Sequence, residues 1–331
     1  MEVARILFWL RVRDAALLVL ISLVAFIVFG ELVIRLYLTR HTFYDVEMSR
    51  YASSIKADAE NPLIGHVHRP NREVELMNAS VRINSDGFRD DEYPIEKGDR
   101  WRIIFLGDSL TFGWGVEKEQ SFEHLIEKAL DAKKPTEIIN FAAGNYNTVQ
   151  EVNLFLEKGL EYRPDQVVLF YFINDAEPVP QRARFAWLGH FRIATFYWSR
   201  VKALLARLDP STSFEDYYAS LYKPGTQGWS DSRAALLELQ EICRERGIVL
   251  QVVLLPELHR LVDYTFAREH ALVSSFLRGN GIPVLDLAPS FANETDPTSL
   301  WVALDDAHPN AKAHRSIANY SADFIAAARG S

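Results

Sequence analysis

Short apolar segments alternate with longer helical patterns from residue 101 to the end of the chain. The apolar segments lie at 102–106, 137–141, 166–173, 248–255 and 283–287. The helical patterns lie at 119–132, 149–160, 232–246, 258–278 and 309–328. Because strands that alternate with helices form parallel sheets covered on both faces, this pattern predicts a three-layer α/β/α sandwich with a five-stranded parallel sheet.

One connection, residues 176–230, is too long for a simple crossover, so we predict an insertion with structure of its own. It contains Phe185, Trp187, Phe191, Phe196, Tyr197, Trp198, Tyr217, Tyr218, Tyr222 and Trp229, interspersed with Arg182, Arg184, Arg192 and Arg200. We expect Phe185, Phe191 and Phe196 to form a small core. Tryptophan and tyrosine join a flat apolar face to a polar tip, so the insertion should face substrate, with Trp229 as a substrate-binding residue.

The N-terminal region carries the longest apolar stretch of the chain. Residues 15–30 have no charge, and the apolar character resumes after Glu31. As a helix, residues 15–38 would be about 36 Å long, enough to cross a bilayer with some tilt. Glu31 and Arg35 are four residues apart and can pair on one helix face. We therefore predict one transmembrane anchor at 15–38.

A cleaved secretion signal is the alternative, but no cleavage site of the A-x-A kind follows the apolar stretch. An uncleaved anchor is favoured. Arginines flank the span on both sides, so charge hardly decides its orientation. We expect residues 1–14 to be a cytoplasmic tail and the large domain to lie outside, in the periplasm, on a single-pass protein of the inner membrane.

Residues 39–98 are expected to form a separate juxtamembrane segment rich in β-structure, because residues 73–76 and 81–83 alternate polar and apolar. His66 and His68 share one strand face there. With no third ligand nearby, solvated histidines are expected rather than a metal site. The main domain is expected at 99–331.

Charge and cysteine content exclude some classes of partner. The net charge is −8 and no basic stripe follows the N-terminal region, so no nucleic-acid partner is expected. The single cysteine, Cys243, excludes an internal disulfide. We expect no cofactor and no metal. The sequence leaves the oligomeric state open.

Candidate chemistry lies in four loops that follow predicted strands. Ser109 comes after Gly107 and Asp108 at the end of the first strand, where open α/β sheets place their ligands. A serine nucleophile needs a base, a group that orients the base, and donors for an oxyanion. The loops at 143–148, 174–175 and 305–309 supply candidates for all three.

Asp305 and His308 are spaced so that a helical turn would place them on one face. We therefore expect Asp305 to hold one imidazole nitrogen of His308 while the other faces Ser109. Asp306 would then point to solvent, and Pro309 would open the last helix. For the oxyanion, the expected donors are the Ser109 N–H, a backbone N–H at Gly144 and the Asn174 side chain.

These residues resemble the four blocks of the SGNH (GDSL) hydrolase superfamily, in order: Gly107-Asp108-Ser109, Gly144, Asn174-Asp175 and Asp305-x-x-His308. The resemblance runs from residue 101 to the C-terminus. It implies a flavodoxin-like sheet, a serine nucleophile, an aspartate–histidine pair, and glycine and asparagine as oxyanion donors. Two positions depart from the family pattern. Phe172 stands where the third block often has glycine, and the second-block glycine aligns with Gly144 or, one residue on, with Asn145.

The resemblance also implies esterase, lipase, thioesterase or carbohydrate acylesterase activity. With an anchor, the chain resembles bacterial envelope proteins of this superfamily that modify exported polysaccharides. We therefore expect a membrane-anchored serine ester hydrolase that removes acyl or acetyl groups from a small molecule or glycan. An O-acyltransferase with the same residues is the alternative. A catalytically idle binding protein is a further alternative, disfavoured by the complete set of residues.

Overall fold

The computed structural model describes residues 2–38, 40–180, 192–208 and 213–330. The chain divides into two compact units. One contains Met1–Ser53 and Arg184–Leu208, and the other contains Ser54–Ala183 and Asp209–Ser331.

The helices and strands are numbered here in chain order. The strands are β1 Lys56–Asp58, β2 His66–His68, β3 Arg72–Leu76, β4 Ala79–Ile83, β5 Trp101–Leu106, β6 Thr136–Asn140, β7 Gln166–Tyr171, β8 Val249–Leu254, β9 Val284–Asp286, β10 Trp301–Ala303 and β11 Asp306–Pro309. The α-helices are α1 Glu2–Tyr37, α2 Tyr44–Ser54, α3 Ser109–Phe112, α4 Phe122–Asp131, α5 Thr148–Glu157, α6 Arg192–Leu208, α7 Phe214–Leu221, α8 Gln227–Arg246, α9 Ala267–Gly279, α10 Ala288–Phe291 and α11 Ala311–Ala327.

A five-stranded parallel sheet in the order β6-β5-β7-β8-β9 forms the centre of the larger unit. Alternate residues of β5 point into two different apolar clusters, one lined by α5, α8 and α9 and the other by α4 and α11. A strand that is buried on both faces is apolar at most positions, and β5 and β8 are apolar except at Arg102 and Gln251. The predicted three-layer sandwich is confirmed.

The last helix begins later than the sequence predicts. The Asn310 side chain accepts hydrogen bonds from the N–H groups of Lys312 and Ala313 and so caps α11. Pro309, expected to open this helix, is the last residue of strand β11, which pairs antiparallel with β10. The helix predicted at 258–278 is also shorter, because α9 begins only at Ala267.

Residues 56–83 contain two antiparallel hairpins, β1–β2 and β3–β4, and the alternating pattern at 73–76 and 81–83 covers only the second. The expectation that His66 and His68 are solvated is wrong. His68 is buried, with Nδ1 3.1 Å from the Gly87 carbonyl, and the His66 ring packs against Tyr146. Arg89 donates to the carbonyls of Phe112 and Val116, fixing this segment beside the end of α3.

Within the smaller unit, α1 is long and apolar enough over Arg5–Tyr37 to cross a membrane, a criterion that an N-terminal signal sequence also meets. Arg35 Nε lies 2.7 Å from Glu31 Oε1, so the predicted i,i+4 pair forms. Helix α6 lies beside α1, where the Arg192 N–H donates to Glu31 at 3.2 Å.

Candidate active site

Ser109 is the first residue of the short helix α3, directly beyond the carboxyl end of β5. The Asp108 side chain caps this helix by accepting a hydrogen bond from the Leu110 N–H at 2.8 Å. A Cβ atom at Gly107 would come within 2.1 Å of Thr111 Oγ1, so glycine at this position leaves room for the Thr111 side chain. Ser109 exposes 6% of its surface.

His308 meets Ser109 from strand β11. Its Nε2 lies 2.8 Å from Ser109 Oγ, and its Nδ1 lies 2.5 Å from Asp306 Oδ1. Asp306 also accepts hydrogen bonds from the His308 backbone N–H and, at its second oxygen, from Trp114 Nε1 at 2.8 Å. A serine, an imidazole and a carboxylate are therefore joined in sequence.

The carboxylate that holds His308 is Asp306, which corrects the expectation of Asp305. The expectation of Asp305 depends on a helical turn, in which residues three apart share a face. His308 instead lies on a strand, where residues two apart share a face. Asp306 therefore points with His308 into the protein and is 3% exposed, whereas Asp305, in the turn before β11, is exposed.

Asp306 remains a carboxylate in this environment. Burial alone would raise its pKa, but the hydrogen bonds from His308 and Trp114 outweigh that effect and hold the pKa below its ordinary value. An ionised Asp306 accepts a hydrogen bond from His308 Nδ1. His308 Nε2 is therefore the acceptor that faces the Ser109 hydroxyl.

The loops expected to carry oxyanion donors follow the strands on both sides of β5. Gly144 is buried in the loop after β6, and Asn174 is half-buried after β7. Asn174 Nδ2 makes a long contact of 3.5 Å with the Tyr146 carbonyl. Because carboxyl ends of neighbouring parallel strands meet at one sheet edge, both residues lie at the same edge as Ser109.

Trp229 is not at the surface, which corrects its expected role in binding substrate. It is 4% exposed, lies in the apolar cluster beneath α8, and packs against Tyr222 and Phe276. A ring covered on both faces cannot stack on a sugar. Of the other residues singled out in the insertion, Arg182, Arg184, Phe185, Trp187 and Phe191 lie outside the described residues.

The sequence assigns no role to two features near the site, the contact between Trp114 and Asp306 and the buried pair of Glu151 and Asp175. Trp114 follows α3 and holds Asp306, and its presence a few residues after Ser109 gave no local signal of a partner 192 residues away. Glu151 and Asp175 are buried together near Asp108. Burial first, and then the neighbouring carboxylates, raise the pKa of Glu151 well above its ordinary value. An acid placed on the inward face of α5 is the pattern that could have revealed this cluster.

A serine, a histidine and a carboxylate at the carboxyl edge of a parallel sheet define the class of serine hydrolases with an α/β fold. The sequence model described as the GDSL-like Lipase/Acylhydrolase family matches residues 105–316. The chain belongs to this family and is a carboxylic ester hydrolase.

Solved structures with a similar fold include several esterases. An acetyl xylan esterase, AlAXEase, is 18% identical, with a TM-score of 0.42, covering 68% of this chain and 99% of that one. The psychrotrophic esterase EstA from Pseudoalteromonas sp. is 15% identical, with a TM-score of 0.44, covering 70% of this chain and 100% of that one. A search of curated proteins found no match.

Proposed function

We propose that this chain cleaves acyl esters through a covalent acyl-serine intermediate, with Ser109 as nucleophile, His308 as general base and Asp306 as the group that orients His308. The observation that carries the proposal is the continuous contact from Ser109 Oγ to His308 Nε2 at 2.8 Å and from His308 Nδ1 to Asp306 at 2.5 Å. Both distances lie within hydrogen-bond range.

In the first step, Ser109 Oγ attacks the ester carbonyl carbon while its proton passes to His308 Nε2. The carbonyl π pair moves to oxygen and forms a tetrahedral oxyanion. As this intermediate collapses, the alcohol leaves and takes the proton from Nε2. Water then gives a proton to Nε2 and attacks the acyl-serine, and the released Oγ takes that proton back as the free acid departs.

The oxyanion in both steps needs donors. We propose that these are the Ser109 N–H, a backbone N–H from the loop at Gly144 and Asn145, and Asn174 Nδ2. The positions of these donors support the assignment, because the loops that carry them follow three adjacent strands of one sheet. Preorganised donors of this kind act mainly in the transition state.

We propose that the acyl groups removed include acetyl. We further propose that the acyl group is carried by an envelope glycan and that α1 anchors the enzyme in the inner membrane, with the larger unit in the periplasm. The length and apolar character of α1 support the anchor.

Serine-directed labelling of the full-length protein in detergent tests the nucleophile. Ser109→Ala should abolish both fluorophosphonate labelling and release of nitrophenol from p-nitrophenyl acetate. Ser290→Ala, an exposed serine on α10, serves as a matched control and should leave both unchanged. Labelling that persists in Ser109→Ala would exclude Ser109 as nucleophile.

Acetate release from acetylated polysaccharide tests the substrate class. Free acetate as the product supports hydrolysis, whereas acetyl groups that move to an added deacetylated glycan would identify a transferase.

Protease treatment of spheroplasts tests the topology. Digestion of the larger unit without lysis is expected, and digestion only after lysis would reverse the proposed orientation.

A further inference from the structure

The carbonyl oxygen of Gly144 is held by two side chains from a distant part of the chain. Lys56 Nζ donates to it at 2.7 Å, and His66 Nε2 lies 3.1 Å from it. Lys56 also donates to Asn145 Oδ1 at 2.9 Å. Lys56 and His66 belong to β1 and β2, which precede the family match at 105–316. This part of the chain therefore reaches the loop expected to help form the oxyanion site.

The strand pairing explains why both side chains point the same way. Lys56 pairs with His68, and Asp58 pairs with His66, so Lys56 and His66 lie on one face of the hairpin. A carbonyl only accepts hydrogen bonds, so His66 must carry its proton on Nε2. Burial first, and then the neighbouring Lys56, lowers the pKa of His66 to about 2, which keeps the ring neutral.

The contact acts on a particular backbone N–H. The Gly144 carbonyl and the Asn145 N–H belong to one peptide unit, so donors on the oxygen polarise that unit and strengthen the N–H as a donor. Within the described residues, the Asn145 N–H makes no hydrogen bond. Asn145 also has φ +67°, in the left-handed region that asparagine adopts more readily than most other non-glycine residues.

A second set of contacts links the β1–β2 hairpin to Asn174. The Tyr146 hydroxyl donates to the His66 carbonyl, and the two rings lie with their centroids 4.9 Å apart. The Tyr146 carbonyl in turn lies 3.5 Å from Asn174 Nδ2. The hairpin thus contacts the residues on both sides of Asn145, one of which touches Asn174.

We infer that the Asn145 N–H is the second backbone donor to the oxyanion, and that Lys56 and His66 are positioning residues that hold the Gly144–Asn145 peptide in place for it. This inference rests on the proposed acyl-serine chemistry. Loss of an oxyanion donor itself costs roughly 10²–10³ in rate. Because Lys56 and His66 act through another group, their loss should cost less, about 10-fold in kcat.

The test compares Lys56→Met, which keeps the length of the side chain, and His66→Phe, which keeps a ring, in the full-length protein. Lys97→Met is the matched control, because Lys97 also makes a short polar contact, 2.6 Å to Asp165, but at the opposite edge of the sheet. For each variant we would measure kcat and KM on p-nitrophenyl acetate, inhibition by phenylboronic acid, which forms a tetrahedral adduct, and the midpoint of thermal unfolding.

The expected result is that Lys56→Met and His66→Phe each lower kcat about 10-fold and weaken boronate inhibition by a similar factor, with KM within about 2-fold. Lys97→Met should change none of these. A variant that only unfolds more easily, with kcat per folded molecule and boronate inhibition unchanged, would overturn the inference. If the unaltered protein lacked Ser109-dependent hydrolysis, the proposed function would fail and the inference with it. Normal hydrolysis by both variants would overturn the inference alone.

Discussion

Replacement of Asp306 by asparagine tests whether Asp306, as the structure indicates, or Asp305, as the sequence predicts, is the carboxylate that orients His308. The carboxylate uses both oxygens. One accepts from His308 Nδ1 and the His308 N–H, and the other accepts from Trp114 Nε1. Asparagine has a single acceptor oxygen, so whichever way its amide faces, an NH₂ group meets a buried N–H of Trp114 or His308.

The loss of charge sets the size of the kinetic effect. When His308 takes the Ser109 proton in the proposed mechanism, an imidazolium forms next to Asp306, 2.5 Å from it at Nδ1, and the centres of two such charges lie about 4 Å apart. At an effective dielectric constant of about 20, their attraction is about 4 kcal/mol, which corresponds to roughly 10³ in rate. We expect kcat of Asp306→Asn to fall by about that factor. The unsatisfied donor should also lower the free energy of unfolding by about 1–3 kcal/mol.

The assay is steady-state hydrolysis of p-nitrophenyl acetate, with fluorophosphonate labelling rates as a second measure of Ser109 reactivity. Asp305→Asn is the control, because Asp305 is exposed and its charge is screened by solvent. Its kcat should stay within about 3-fold of the original. If Asp305→Asn lost more activity than Asp306→Asn, the assignment of Asp306 would be refuted.

Three further substitutions test other parts of the structure. Asn174→Ala should lower kcat by about 10²–10³ with little change in KM, and an unchanged kcat would remove Asn174 from the oxyanion site. Trp229→Ala should lower the free energy of unfolding by about 3–5 kcal/mol, measured by denaturant titration, because it empties a buried site. A variant of full stability that fails only on polysaccharide would restore its expected role in substrate binding. Burial beside Asp175 and Asp108 raises the folded-state pKa of Glu151, so its contribution to stability is present at low pH and lost as the pH rises through the raised value. Glu151→Gln should therefore raise the midpoint of thermal unfolding at pH 8 and change it little at pH 4, and an equal shift at both would contradict a charge effect.

The sheet could be predicted because the local composition of each strand indicates that the strand is buried. Strands β5 and β8 are covered on both faces, so nearly every position is apolar, and the helices between them are long enough to show their own period. The position of Ser109 after β5 followed from the same pattern.

The partner of His308 could not be predicted in the same way. Choosing between Asp305 and Asp306 depends on whether the backbone is helical or extended there, and β10 and β11 are each only three or four residues long. The prediction that Trp229 binds substrate was wrong for a different reason. Composition shows that an insertion is aromatic, but only the packing of α8 against the sheet shows which rings are covered.

The contact between Ser109 and His308 joins residues 199 positions apart. During synthesis, the proposed nucleophile, Ser109, therefore leaves the ribosome long before its proposed base, His308, has been made. A chain that stops before β11 lacks both His308 and Asp306, so under the proposed mechanism the growing polypeptide has no activated serine until this last segment has been made. Catalytic activity should thus appear only once the whole larger unit is complete, which makes enzyme turnover a direct reporter of finished folding.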